Sequence, residues 1–110
     1  MGSKIVVIIS SGEKEKAMTG LMYARNAKER GWMDEVKVIF FGPSENLLVK
    51  DEDIQDMALQ IGKDEKPMAC KALSDRDGIS ENIEEMGVAV EFVGSIISDL
   101  IKDGFVPMVF

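Results

Sequence analysis

Lys4-Ile5-Val6-Val7-Ile8-Ile9-Ser10, followed at once by Ser11-Gly12-Glu13, is the stretch from which the rest of the chain is read. Five consecutive β-branched apolar residues leave no alternating polar position for a solvent-facing side, so the segment reads as a strand covered on both faces. Strands of that kind belong to parallel sheets flanked by helices, and this one is expected in the middle of its sheet. The Ser10-Ser11-Gly12 turn then leads into a helix. Ser10 and Glu13 stand at capping-box spacing, Ala17, Leu21, Ala24 and Lys28 recur on one face, and Gly31 is placed to end it.

Working outward, Val36 to Phe41 reads as a second strand, stopped by Gly42-Pro43-Ser44. Glu45 to Lys50 can add a helical turn, and Asp51 caps a helix with Ile54, Met57, Ala58 and Ile61 on one side and Gly62 just beyond. Pro67 to Cys70 is a short third strand with its proline at the first position, where the missing N–H costs least. Asp75, Asp77 and Gly78 interrupt the segment that follows, which leaves a short helix from Ser80 to Met86. Val88, Val90 and Phe92 alternate as a fourth strand. Gly94-Ser95 opens a helix with Ile96, Ile97, Leu100 and Ile101 inward, Gly104 closes it, and Phe105 to Phe110 supplies a fifth strand. This alternation predicts one α/β domain over residues 1–110, a three-layer α/β/α sandwich around a five-stranded, mainly parallel sheet with right-handed crossovers.

Composition narrows the function. Thirteen basic against twenty acidic residues give a net charge of -7, a surface that repels phosphate backbones, so nucleic acid is not an expected partner. No apolar run approaches the length of a membrane span or a signal-peptide core, so no membrane association is expected and a cytoplasmic location follows by default. One cysteine and no histidine exclude an internal disulfide, a Cys/His zinc site and the Ser/His and Cys/His catalytic pairs. Asp51-Glu52-Asp53 suits the first turn of a helix better than a hard-metal site. Neither a metal nor a cofactor is expected.

Cys70 is the candidate reactive group. It ends the third strand, at the sheet edge where open α/β folds place their ligand sites. A free thiol of pKa about 8.5 is only ~3% ionised at pH 7, and the amides of a following helical turn together with Lys71 and Arg76 would stabilise its thiolate. The competing reading is a small apolar side chain packed inertly in the core. Two turns stand at the same sheet edge, Ser10-Ser11-Gly12 and Gly42-Pro43-Ser44, and could wall a crevice for an anion or another small ligand. Their plain alternative is a helix start and a strand-to-helix turn.

Taken in order, several pieces resemble the DsrE-like (DsrE/DsrF/TusD) sulfur-relay family. They are the hydrophobic first strand, Phe40-Phe41-Gly42, Met68-Ala69-Cys70 followed by Ala72-Leu73 and Gly78-Ile79, then Phe92-Val93-Gly94-Ser95 and Gly104-Phe105-Val106. The resemblance covers nearly the whole chain. It implies a DsrEFH-like sheet of five parallel strands between helices, and homo-oligomers, either trimers or hexamers. It also implies that Cys70 matches the family's active cysteine, which takes up sulfane sulfur as a persulfide from a donor protein and passes it to an acceptor. Such a carrier needs one nucleophilic thiolate and a partner thiol, without metal, cofactor or second cysteine. It is a transfer protein rather than a turnover enzyme. Two other readings stand beside it: a noncatalytic small-ligand-binding or scaffold oligomer of the same fold with an inert Cys70, and a thiol redox sensor.

Overall fold

Lys4–Ile9 forms β1, which is hydrogen-bonded in parallel on both sides, to Glu35–Phe40 and to Val106–Val109. In this computed structural model, which describes residues 2–110, those partners are β2 and β5, with β3 (Met68–Cys70) and β4 (Ala89–Glu91) beyond β2. The sheet order is β4-β3-β2-β1-β5, and every neighbouring pair is parallel. The centre is therefore β2 and not the first strand. A continuous apolar run reports burial on both faces, which any interior strand meets, and carries no information on rank across the sheet.

Among the described residues, six helices accompany the strands: α1 (Lys14–Glu29), α2 (Ser44–Lys50), α3 (Glu52–Gly62), α4 (Lys71–Arg76), α5 (Ser80–Glu85) and α6 (Val93–Lys102). One face of the sheet, through Ile5, Val7, Ile9, Val36, Val38 and Phe40, packs against α1 and α3, with Leu48 of α2 and Ile83 of α5 filling in. The inward side of α1 is Ala17, Gly20, Leu21, Ala24 and Ala27. Lys28, expected on that side, is exposed. The buried row steps by three from Ala24 to Ala27, where a small side chain fits and a lysine would lose its hydration.

The start of α1 also departs from the capping box. Ser10 and Ser11 both donate their amide hydrogens to the Phe110 carbonyl, at 2.7 and 3.1 Å, which keeps the chain tied to the sheet through Ser11. Glu13 becomes the N-cap residue without a side-chain capping bond, and its own N–H goes to Ser11 Oγ at 3.0 Å. Asp51 does cap α3, accepting from the Ile54 N–H at 3.1 Å. The helix α4, expected only as a helical turn after Cys70, begins directly after that residue and runs to Arg76. Asp75 and Asp77, which look like interruptions, support it: Asp75 pairs with Lys71 one turn back and Asp77 with Arg76.

The opposite face, with Val6, Ile8, Ile39 and Cys70, is covered by α6 through Val93, Ile96, Ile97 and Leu100, joined by Leu73 and Phe105. Connections running one way across a parallel sheet lie on one face, and the connection running back lies on the other. Thus α6 alone returns from β4 to β5. A helix with its side chains is about 10 Å wide, while five strands span about 19 Å between outer axes, so one helix cannot cover the whole face. Ile101, expected inward, is exposed, as are Phe92 and Val109. Among the described residues, no helix is long and apolar enough to cross a membrane.

The turns after β1 and β2 lock together. Gly42 has φ of 135°, and a Cβ added there would meet Ser10 Oγ at 2.7 Å and the Ser10 carbonyl oxygen at 2.9 Å. Ser44 seals the contact by donating its N–H to the Ser10 carbonyl at 3.1 Å and its hydroxyl to that of Ile9. Gly31, with φ of 67°, has open space around it. Gly42→Ala should therefore cost about 3 kcal/mol, from backbone strain plus crowding, and Gly31→Ala about 1 kcal/mol from backbone strain alone. Urea unfolding of the two variants measures the difference, and equal losses would show that the turns are not interlocked.

Candidate functional site

Cys70 is the last residue of β3 and occupies the N-cap position of α4 in extended conformation, with φ -71° and ψ 116°. It is directly abreast of Glu91 on β4. From β3 the chain proceeds through α4 and α5 toward the α1 and α3 face, whereas from β4 it passes through Phe92 into α6 on the other face. The carboxyl ends of β3 and β4 are thus where neighbouring connections diverge, the place at which open α/β sheets form a crevice. The Cys70 side chain is 5% exposed and packs in the cluster of Val6, Ile8, Ile39, Val93 and Phe105. Phe92, largely exposed, stands beside it in the chain's next turn, with Lys71 Nζ 5.9 Å from its ring centroid.

Lys71 and Arg76 both carry their own carboxylates. Lys71 Nζ pairs with Asp75 at 3.0 Å, and the Ser80 hydroxyl, followed by that ammonium, holds Asp75 below the usual carboxylate range. Arg76 Nε pairs with Asp77 at 3.1 Å, which holds Asp77 below that range with help from Asn46. Lys71 adjoins the thiol in sequence. Arg76 lies at the far end of α4, about 8 Å along the helix from Lys71.

The two turns meet each other rather than Cys70. Ser10-Ser11-Gly12 touches Gly42-Pro43-Ser44 directly, with a Cβ at Gly12 placed 3.0 Å from that of Pro43. The Ser10 and Ser11 amides that could have held an anion are bonded to Phe110. Between Ser10 and Cys70 lies β2, which separates the β1 and β3 axes by roughly 10 Å. Clefts with volume occur elsewhere: about 250 Å³ at the α4–α5 turn beside Asp75 and Ser80, and about 180 Å³ between Leu59 and Met86. A third, between α1 and α3 beside Arg25, holds about 30 Å³. Among the described residues, no group of three or more Cys, Asp or Glu is placed to hold a metal ion.

One group of this sheet edge escaped the sequence reading. Glu45, in the first turn of α2, is 1% exposed. Its Oε2 accepts from the Gly42 N–H at 3.4 Å, and among the described residues its Oε1 has no partner. Burial pushes the carboxyl up to about 7 against the pull of the Gly42 N–H, with Asp77 adding to the rise and Arg76 opposing it. An acid in a first helical turn normally reads as an exposed partner of the helix dipole, and only the folding back of Gly42-Pro43-Ser44 buries it.

Between about pH 4.5 and 7 the folded protein keeps a Glu45 proton that the unfolded chain has lost, so stability falls as pH rises through that window. The loss should reach about 3 kcal/mol and level off above pH 7. Glu45→Gln keeps the shape and removes the proton, so its stability, measured by urea unfolding from pH 5 to 8, should lack that decline. Parallel curves for the two proteins would refute the desolvated carboxyl.

No family model and no curated protein matches the chain. Among solved structures it is similar to a conserved protein of unknown function, BT1422, from Bacteroides thetaiotaomicron, with a TM-score of 0.90 and 24% identity over 98% of this chain and 95% of that one. The likeness extends across the fold, a five-stranded parallel sheet in an α/β/α sandwich.

Proposed function

We propose that this protein is a sulfur-relay protein of the DsrE-like kind, which carries sulfane sulfur as a persulfide on Cys70. The observation that supports the reading most is the address of Cys70, at the carboxyl ends of β3 and β4 where the connections part to opposite faces. The chemistry asks for nothing the chain lacks. The Cys70 thiolate attacks the outer sulfur of a donor persulfide, the donor's S–S bond breaks, and the donor leaves as a thiolate while Cys70 becomes the persulfide. An acceptor thiolate then takes the outer sulfur and regenerates the Cys70 thiolate. The transfer is redox-neutral, so neither cofactor, metal nor resolving cysteine enters.

Burial has a role in this scheme. A thiol packed against Val93 and Ile39 is shielded from oxidants, and donor or acceptor must draw it out through movement of α4 or Phe92. The cytoplasm, which keeps thiols reduced, is the fitting compartment. A second copy of the chain is the occupant proposed for the apolar side chains that α6 leaves bare, Val109 on the β5 edge, Phe92 just past β4 at the opposite edge and Ile101 on α6 itself, in a trimer or hexamer. The alternative of a small-ligand crevice between the Ser10 and Gly42 turns would first have to break their contacts with each other and with Phe110.

Incubation with a sulfane-sulfur donor, followed by intact-mass measurement, should add sulfur to the wild type and not to Cys70→Ala. Absence of the adduct, or its survival in the variant, rejects the carrier. Sedimentation should find an oligomer that Ile101→Asp together with Val109→Asp converts to monomer, whereas a monomeric wild type rejects the assembly.

A further inference from the structure

Glu45 is a buried carboxyl that sulfur transfer does not use. Its single hydrogen bond, 3.4 Å from the Gly42 N–H, is long for a charged acceptor, and its second oxygen meets no donor. A buried carboxylate is ordinarily surrounded by donors or a counter-charge, so the geometry suits the neutral acid.

Two parts of the chain close around it. The β2–α2 turn does so through Gly42, and the end of α4 does so where Asn46 Nδ2 donates to Asp77 Oδ2 at 3.0 Å. Arg76 and Asp77, both at that end of α4, are the charged groups that act on Glu45. The other helices packed against α2 direct their charges elsewhere. At the start of α3, the cap residue Asp51 and Asp53 pair with Lys14, and Glu52 and Asp56 are exposed; on α5, Ile83 points inward while Glu81, Glu84 and Glu85 are exposed.

We infer that Glu45 is a proton-operated latch: buried as the neutral acid it lets α2 pack on the end of α4, where Asn46 ties to Asp77, and on losing its proton it loosens α4 and uncovers Cys70. The step is an ionisation in which the carboxyl O–H bond breaks, the proton goes to water and the electron pair stays on the carboxylate. The new anion faces one N–H, is repelled by Asp77 and attracts Arg76. Arg76 reaches it by leaving Asp77, which removes the ion pair at the end of a helix only six residues long. That helix starts at the residue after Cys70, and its Leu73 packs on the same apolar cluster as the thiol. Because burial sets the ionisation near neutrality, the latch works within the ordinary range of cellular pH.

Access to the thiol tests this independently of any sulfur chemistry. Cys70 is alkylated with iodoacetamide, which is uncharged, from pH 5.5 to 8.5 in the wild type and in Glu45→Gln. Thiolate formation raises both rates alike and cancels in their ratio. The wild-type rate relative to the variant should climb several-fold with a midpoint near pH 7, and amide hydrogen exchange of residues 42–46 and 71–78, which base catalysis quickens in both proteins, should rise in the wild type relative to the variant over the same range. Asp77→Asn, which removes the repulsion and frees Arg76, should move the midpoint to lower pH, and it carries the test if Glu45→Gln does not fold. A flat ratio, a Cys70 that stays unmodified throughout, or a midpoint that Asp77→Asn leaves in place each overturns the latch.

Discussion

A parallel strand can reach its neighbour only by a crossover, and here the four crossovers are shared three to one between the two faces of the sheet. Most of the molecule's character follows from that imbalance. Three connections, carrying α1, α2 with α3, and α4 with α5, lead stepwise from β1 to β4 and build a well-filled core on one side. The single return through α6 has to serve the whole of the other side, and one helix is too narrow for it. Apolar side chains that would be buried in a fully covered sandwich, Ile101 and Val109 among them, consequently remain at the surface.

The same imbalance sets the address of the thiol. Because the change of face happens between β3 and β4, the diverging chain ends lie at Cys70 and Phe92 rather than at the serine turn after β1. The serine turn is occupied structurally, holding the last strand through Phe110 and the second turn through Ser44. Its tight contact with Gly42 also explains the burial of Glu45, which sits three residues further on. A net charge of -7 gives no hint of such a group, since most of the acidic side chains stand in water or beside a lysine or arginine.

Much of the fold was legible because its cues are local. The Ile5–Ile9 run announces a doubly covered strand, Asp51 caps α3 from its own side chain, and Gly31 and Gly104 end helices by adopting positive φ. Where the reading failed, the deciding partner was distant in sequence. The Phe110 carbonyl delayed the start of α1, and Ser80 and Asn46 turned Asp75 and Asp77 from apparent breaks into supports for α4. Ile101 has the right helical spacing to face inward, yet in the last turn of α6 it is 47% exposed.

From the sequence alone came the class of fold, the count of strands, the exclusion of histidine and disulfide chemistry, and the position of Cys70 at a strand's carboxyl end, all properties of residue type and near-neighbour spacing. The tertiary structure alone decided that β2 is central, that Lys71 and Arg76 are committed to Asp75 and Asp77, that the serine and glycine turns close on each other, and that Glu45 is buried. Burial and ion pairing depend on groups brought together from far apart along the chain. Local pattern carries no record of them.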